Sequence, residues 1–470
     1  MPAYTLPAGH HYALLWGIPD NFAGMTNSVM HRSRGFVREA GAEVTILTLE
    51  YRDDYDVVRR RLRERGAMID GMHLRNMWED ILGWDDEQLS VATEGAGQGD
   101  TKGFKPLGDR GEMEGPLVRR LRDETGEIRQ ADYFRPNGTL LASDRVRGRK
   151  SRRRSITLCD SSGNPVVTWR RARYLYFRWL DTLPRDPTAY LICDSKTPAT
   201  HVTHYRRPDV VTIHVVRGSH LRAGSGRPNG LLKPGREHTM RNLARWDAIV
   251  FLTEEQRRDV QTLLGAQDNL HVIPNNRPVP TAVPNLERPS RRGVMLASLI
   301  DRKQVGHAVR AMKLAGRVRG RRIRLDVWGR GPKTRRMKTL ARLLRAPVKI
   351  RGYSETAIHE FEKASFSLLT SASEAFANVL IESMGRGCIP ISYASPYGPA
   401  DIITHGVDGF LVPHNDIVAL ARQIHAVAAM KPHDLEPLRL AAHQRALQFT
   451  DFTGRWSELL RRLEPPRTSI

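Results

Sequence analysis

Short apolar runs that end in polar residues alternate with helical patterns along most of the 470-residue chain, and this alternation constrains the fold more than any other feature. Parallel strands that are buried on both faces have this pattern. The sequence therefore predicts two parallel α/β domains, separated by a proline-rich linker over 274–292. The predicted strands lie at 12–16, 42–49, 189–195, 209–216, 247–253, 270–276, 293–299, 323–329, 348–353, 366–372, 389–393 and 409–413.

The stretch from about 70 to 185 departs from this alternation. Two hairpins are predicted in it, one around Asn137-Gly138 and one around Ser162-Gly163-Asn164, because such dipeptides favour tight turns. We therefore expect an inserted antiparallel sheet. The predicted organisation is an N-terminal α/β domain over 1–69 and 186–288, a β-rich insertion over 70–185, a C-terminal nucleotide-binding α/β domain over 289–440, and a C-terminal helix within 441–470 that packs back toward the first domain.

The most unusual feature of the composition is its large excess of positive charge. Lys and Arg number 74 and Asp and Glu 51, a net charge of +23. Such a field favours a polyanionic partner, which is a nucleic acid, an anionic membrane face or a phosphate-containing polymer or cofactor; an Arg-rich solvated surface is the alternative. The basic segment RVRGRKSRRR, residues 145–154, leaves the same two interpretations open.

Cysteine use and hydropathy bear on the compartment. The three cysteines are far apart and form no CxxC pair, which argues against a disulfide framework or a zinc site. The first twenty residues have no basic segment before a short apolar core, so they do not resemble a signal peptide. We expect a cytoplasmic protein and leave open peripheral contact with the anionic inner face of the membrane.

The strand ends of the second series carry a common chemistry. Open α/β sheets bind ligands beyond the carboxyl ends of their strands. These ends hold cations, glycines and one carboxylate, in the segments IDRKQ (300–304), GRGP (329–332), RGY (351–353), SEAFAN (373–378) and ASPYGPAD (394–401). Cations bind phosphate and carboxylates bind pairs of sugar hydroxyls, so the set suits a nucleotide diphosphate that carries a polyhydroxylated group.

The stretch SEAFANVLIE has a glutamate at each end, Glu374 and Glu382. Glu374 precedes the predicted helix and Glu382 lies about two turns into it, so the two carboxylates can reach opposite ends of one extended ligand. By itself the spacing also fits a residue beside a helix cap and a residue on a helix surface.

The segment SEAFANVLIESMGRGCIPISYASPYGPADIITHGVDGFLVP resembles the signature of retaining glycosyltransferases of family 4, which have the GT-B fold. Its E-x7-E pair and YGP-x-D-I-I continuation are similar to the subfamily that glycosylates poly(polyol-phosphate) teichoic acids. The resemblance implies a UDP-sugar donor, UDP-glucose or UDP-N-acetylglucosamine, and transfer without a metal ion or other cofactor. It also implies a β insertion, through which relatives oligomerise. Transfer to a protein, binding without catalysis and nucleic-acid binding remain alternatives.

The same resemblance implies roles for individual residues. Glu374 is expected at the donor sugar, Glu382 at the ribose hydroxyls, and Lys303 at the diphosphate, where it stabilises the departing nucleotide. The other implied site residues are Arg302, Gly24, Phe376, Ala377, Asn378, Gly329, Arg330 and Tyr353, with His214 and His220 near the sugar. For either histidine alone, a core or surface position is the alternative.

The family arginine five residues before the lysine is replaced here by Ser298. The sequence leaves two outcomes: Arg302 supplies the missing charge, or phosphate binding is weaker.

Overall fold

The protein is described here from a computed structural model that covers residues 3–20, 24–90, 101, 104–147, 153–222, 224–288 and 290–464. Its residues form two compact units, one of 7–212 and the other of 213–463 with the first few residues. The strands are β1 (His10–Leu15), β2 (Val44–Thr48), β3 (Met72–Asn76), β4 (Glu112–Met113), β5 (Val118–Arg122), β6 (Ile128–Phe134), β7 (Leu140–Arg147), β8 (Arg153–Cys159), β9 (Pro165–Trp169), β10 (Ala189–Cys193), β11 (Val210–Val215), β12 (Ala248–Phe251), β13 (Leu270–Val272), β14 (Arg292–Leu296), β15 (Arg317–Val318), β16 (Arg321–Arg322), β17 (Arg324–Trp328), β18 (Val348–Gly352), β19 (Phe366–Leu369), β20 (Ile389–Tyr393) and β21 (Phe410–Val412).

The α-helices of these residues are α1 (Met25–Ala40), α2 (Tyr55–Glu64), α3 (Met77–Leu82), α4 (Asp86–Ser90), α5 (Arg173–Leu180), α6 (Lys196–Val202), α7 (Pro234–Met240), α8 (Glu254–Leu264), α9 (Val305–Ala315), α10 (Thr334–Leu343), α11 (Asn378–Met384), α12 (Pro399–Ile402), α13 (Ile417–Ala429), α14 (Pro432–Leu447) and α15 (Phe452–Arg462). The segment TAIHEFEKA, which follows the predicted 348–353 strand and has a helical pattern, forms a 3-10 helix over Glu355–Glu362 rather than an α-helix.

Two parallel sheets confirm the predicted α/β class. The first has the strand order β13-β12-β11-β10-β1-β2-β3 and the second the order β18-β17-β14-β19-β20-β21. β3 follows the predicted insertion boundary at residue 70, yet it pairs in parallel with β2 from Val44↔Met72 to Thr48↔Asn76. The sequence did not predict this strand because its residues, MHLRN, mix polar and apolar side chains without a clear run.

The predicted antiparallel sheet is present, with the order β4-β5-β6-β7-β8-β9. Both predicted hairpins are confirmed, since β6 pairs with β7 and β8 with β9. Gly138 and Gly163 have φ values of 84° and 87°, which explains the glycine in each turn. β4 and β5 lie in the polar stretch 83–130, where the sequence showed no period.

The C-terminal sheet carries the core that positions the site. Its strands pack with α9 and α13 through a continuous apolar cluster that includes Val305, Met312, Phe366 and Ile424. Burying each such side chain contributes about 1.5–3 kcal/mol. Residues 274–288, which follow the first sheet, form no helix or strand, whereas Arg292 at the end of the predicted 274–292 linker begins β14.

Candidate active site

The neighbours β14 and β19 bring two predicted segments together at the carboxyl edge of the second sheet. The Ala372 amide donates to the Arg302 carbonyl at 2.8 Å, and the Thr370 hydroxyl donates to the Lys303 carbonyl at 3.0 Å. The loop after β14 is therefore fixed to the loop after β19. This contact places both predicted cations beside Glu374.

Glu374 lies at the centre of this edge, with 9% of its surface exposed. Arg302 Nη1 lies 2.9 Å from Oε2, and the Lys303 ammonium binds Oε1. Burial alone would raise the pKa of Glu374, but the charges of Lys303 and then Arg302 outweigh it and hold the pKa below its ordinary value. The carboxylate is therefore ionised, and the cluster carries two cations against one anion.

Ser298 and Arg302, the two positions compared in the sequence analysis, differ in their surroundings. Ser298 is exposed just beyond the end of β14. Arg302 instead reaches the Glu374 carboxylate and the Ser373 carbonyl, the latter at 2.7 Å. Arg302 therefore places a cation at the Glu374 carboxylate, and the two outcomes left open by the sequence stay predictions.

Glu382 has a partner that the sequence did not predict. It lies on α11 and is partly exposed, and Arg277 Nε lies 3.0 Å from its Oε1 as an ion pair rather than an aligned hydrogen bond. Arg277 is the last residue of the segment HVIPNNR, which runs on from β13. A cation that follows a predicted strand could have indicated a site residue here. The sequence assigned it to the proline-rich linker and so missed it.

The start of α11 is built from the predicted Phe376, Ala377 and Asn378. Ala377 adopts φ 57° and ψ 52° at the N-cap, a conformation that costs a non-glycine residue energy and is concentrated at functional sites. Phe376 is buried, and its carbonyl lies so close to Gly398 that a Cβ there would approach within 2.6 Å. The first amides of α11 have no preceding helical carbonyl, so they suit an anion.

The Asn378 side chain belongs to a polar chain that the sequence missed. It accepts from Asn275 Nδ2 at 3.1 Å, and Asn275 Oδ1 accepts from Arg217 at 2.5 Å. Arg217 and Asn275 follow β11 and β13, so strand ends again supply the polar groups.

Gly329, Arg330 and Tyr353 lie together at the ends of β17 and β18. The Gly329 amide donates to the Gly352 carbonyl at 2.7 Å, and the Arg330 guanidinium lies 4.9 Å from the centre of the Tyr353 ring. A Cβ on Gly329 would approach the Ala297 carbonyl oxygen within 1.9 Å. This glycine is therefore required by the packing of the β17 loop on the β14 loop, a structural reason beside the predicted binding role.

The two predicted histidines are both buried. His214 lies within β11 with its ring 5.2 Å from the Trp246 ring, as expected for a core histidine. His220 stacks on Tyr397 at 5.9 Å, and the Tyr397 amide donates to the Glu374 carbonyl at 3.1 Å. Burial lowers the pKa of His220 to about 4, so the ring is neutral at pH 7.

Tyr397 belongs to the YGPAD segment and connects that segment to α8 through side-chain contacts. Its hydroxyl donates to Asp259 at 2.8 Å, and Arg227 lies over its ring at 4.7 Å while binding Asp259 and Glu255. Asp401 also accepts from the Glu254 amide at 3.0 Å, at the start of α8. These contacts hold the YGPAD segment in place beside the glutamate.

Gly24 lies at the N-cap of α1 with φ 58°, and among the described residues no atom beyond its chain neighbours lies within 4 Å of a Cβ built on it. Its space is thus open, as the resemblance implies, although residues 21–23 of its loop lie outside the described residues. Thr26 and Asn27 are residue types that often cap helices, but α1 begins at Met25, so they lie in its first turn and Gly24 is the N-cap.

Several other predictions concern the whole chain. Residues 148–152 of the basic segment 145–154 lie outside the described residues. Cys159, Cys193 and Cys388 are free and buried. In the part of the chain that the structure describes, no three His, Cys, Asp or Glu side chains gather as metal ligands, and no helix is both long and apolar enough to span a membrane.

Two parallel sheets, an antiparallel insertion and a paired glutamate site at a strand-end edge define the GT-B class of glycosyltransferase fold. Residues 284–444, which hold the Glu374 and Glu382 clusters, match the family model described as glycosyl transferases group 1. The chain therefore carries a glycosyltransferase group 1 domain, as the resemblance of the 373–413 segment predicted.

Known relatives extend the likeness over most of the chain. A poly(glycerol-phosphate) alpha-glucosyltransferase of Bacillus subtilis is 21% identical, over 89% of this chain and 70% of the relative. An exopolysaccharide phosphotransferase of Streptomyces coelicolor is 35% identical, but the match spans half of this chain and about a quarter of the relative. The structure of a Staphylococcus aureus TarM mutant with fondaparinux, alpha-GlcNAc-glycerol and UDP aligns with a TM-score of 0.70 at 16% identity, over 96% of this chain and all of that one.

Proposed function

We propose that this protein transfers a hexose or N-acetylhexosamine, with retention of configuration, from a UDP-sugar to a polyol-phosphate polymer such as a teichoic acid. The observation that carries the proposal is the Glu374 cluster, in which a buried ionised carboxylate is held between Lys303 and Arg302. Two similar proteins support it: one is a poly(glycerol-phosphate) alpha-glucosyltransferase, and the TarM mutant structure holds UDP and alpha-GlcNAc-glycerol. The donor is the single small molecule required, with no metal ion and no other cofactor.

The donor diphosphate would lie between the Lys303 and Arg302 cations and the first amides of α11. The leaving nucleotide gains negative charge as the glycosidic bond breaks, and fixed cations and amides stabilise that charge most in the transition state. Glu374 would accept hydrogen bonds from the sugar, and it also keeps the two cations in place before the donor binds. The neutral His220 would support the Glu374 segment through Tyr397 rather than carry charge.

Glu382 would accept hydrogen bonds from the ribose hydroxyls at the other end of the donor. Its ion pair with Arg277 fixes the carboxylate in the absence of donor. Arg277 is therefore assigned a positioning role. The same proposal places the reaction in the cytoplasm, which the three free thiols support, and leaves membrane contact and assembly through the insertion to be measured.

The test is the release of UDP from UDP-glucose or UDP-N-acetylglucosamine on addition of poly(glycerol phosphate) or poly(ribitol phosphate). We expect release with one donor, and an α-linked sugar on the polymer by mass spectrometry and NMR. The proposal is wrong if a folded sample transfers no common UDP-linked hexose or N-acetylhexosamine to either polymer.

A further inference from the structure

A 35-residue stretch of the C-terminal domain holds most of the net charge of the protein. Residues 317–351 contain fourteen Lys or Arg and a single carboxylate, Asp326, so they contribute +13 of the total of +23. The Glu374 cluster uses none of the fourteen, and Arg330 is the single one of them that the family resemblance assigns to the site. This excess is the largest feature of the sequence that the proposed function does not explain.

The fold gathers part of this charge into a groove of about 630 Å³. Lys338 and Arg342 lie one turn apart on α10, and Arg345 follows its last turn. Lys349 and Arg351 lie two apart on β18, the edge strand of the sheet, and therefore point to the same side. The cationic lining, which we call the basic groove, is Arg322, Lys338, Arg342, Arg345, Lys349 and Arg351.

The charges of the basic groove are mostly uncompensated. Arg351 Nε binds Asp326 at 2.7 Å. The other five cations are exposed, and among the described residues none of them has a carboxylate oxygen within 4.0 Å. The remaining lining consists of small and aliphatic side chains, namely Ala341, Ala346, Val348 and Ile350. A concave surface with one sign of charge concentrates counter-ions of the opposite sign.

Protection of an edge strand explains only part of the groove. Lysines on edge strands prevent pairing with other chains, which is a sufficient reason for Lys349 and Arg351. It does not account for Lys338 and Arg342 on α10, or for Arg345 just after that helix. The convergence of a helix row and a strand row on one groove favours a binding surface.

We propose that the basic groove binds a stretch of the phosphate-containing polymer acceptor, away from the reacting hydroxyl. The proposal rests on the proposed function, which supplies a polymer with repeated negative charge. A single flexible chain can enter a groove, whereas a lipid surface is flat and would contact only the rim. Its lining has no aromatic side chain, whereas proteins that bind single-stranded nucleic acid stack bases on aromatic rings. Holding the polymer here raises the effective concentration of acceptor groups at the site.

The first experiment measures binding without transfer. The groove variant combines four substitutions, Lys338→Gln, Arg342→Gln, Arg345→Gln and Lys349→Gln. The matched control removes four exposed arginines outside the groove, by Arg60→Gln, Arg63→Gln, Arg65→Gln and Arg422→Gln. We expect the groove variant to bind poly(glycerol phosphate) about 10- to 30-fold more weakly, with a salt dependence reduced by about three in log–log slope. The control should bind like the wild type.

The probes also decide the occupant. Equal losses in the two variants would overturn the proposal, as would a wild-type protein that does not bind the polymer. Groove-dependent binding that is tighter for a single-stranded oligonucleotide, or for phosphatidylglycerol vesicles, than for the polymer would overturn the assigned occupant. Circular dichroism and thermal unfolding confirm that each variant is folded.

The second experiment separates this proposal from the proposed function. With the long polymer as acceptor, the groove variant should show a KM raised about tenfold and an unchanged kcat, while transfer to a glycerol phosphate dimer stays at the wild-type rate. An unchanged KM for the long polymer would count against the groove. If the wild type transfers nothing but still binds polymer through the groove, the proposed function fails and the groove assignment is supported.

Discussion

The C-terminal domain holds two sets of cations that differ in their surroundings. Arg302 and Lys303 bind a buried carboxylate and are fixed by backbone contacts between two loops. The basic groove carries cations that are exposed and, apart from Arg351, lack a carboxylate partner among the described residues. Fixed cations can stabilise charge that develops at one atom, whereas solvated cations attract a long polyanion through many weak contacts. The two sets should therefore respond differently to substitution.

The largest expected effect is on Lys303. Lys303→Ala should lower kcat by about a hundredfold or more, or ~3 kcal/mol of transition-state stabilisation, because the proposed function assigns the ammonium to the departing diphosphate. Steady-state kinetics with a short acceptor measure this loss. Lys313→Ala, which removes an exposed lysine from α9, should keep the wild-type kcat. A Lys303→Ala enzyme with normal kcat would remove the distinction between the two sets.

The second-largest loss of activity is expected for Glu382, which pairs with Arg277. Glu382→Ala should reduce kcat/KM for the donor by about 10- to 100-fold, because the ribose hydroxyls lose their acceptor and Arg277 is left unpaired. Arg277→Ala should cause a smaller loss, confined to KM. In the double variant, the loss should be less than the sum of the two single losses if the residues act as a pair. Additive losses would show that Arg277 does not position Glu382.

A smaller effect is expected for Arg302, since its side chain is 46% exposed and solvent screens its charge. Arg302→Ala should raise the donor KM about three- to fivefold. Adding Ser298→Arg should restore part of the affinity, because it returns a cation to the position that the family arginine occupies. If Ser298→Arg has the same effect with and without Arg302, the two positions do not substitute for each other.

The smallest effect is on stability in acid. Lys303 and Arg302, against the opposing effect of burial, hold the pKa of Glu374 below its ordinary 4.5. This stabilisation is complete above pH 4.5 and is lost as the pH falls through the lower, folded-state pKa. Urea unfolding should be measured above and below pH 4.5. Acid should lower the free energy of unfolding less for Glu374→Gln than for the wild type. The groove variant should keep the wild-type pH dependence, because its substitutions leave the Glu374 cluster unchanged.

Much of the fold followed from local patterns. Buried parallel strands such as AIVF and IPISY are continuous apolar runs, and the two hairpins had turn residues that only glycine satisfies. β3, β4 and β5 were missed because their side chains are mixed, and pairing with a neighbouring strand stabilises them. In the site, Lys303, Glu374 and Glu382 were predicted from the family resemblance of their segments, whereas Arg277 and Asn275 were missed because their partners lie 58 to 105 residues away in sequence.

The sequence by itself determined the α/β class, the glutamate pair and the size of the positive charge, since these depend on residue type and on short-range spacing. The tertiary structure decided which cations are paired. Arg302 and Arg330 both follow strands, but the loop contacts turn Arg302 to Glu374 while Arg330 packs on Tyr353. It also decided that α10 and the edge strand β18 meet, which turns a basic stretch of sequence into a groove. Such pairings depend on distances between elements, and local sequence does not encode those distances.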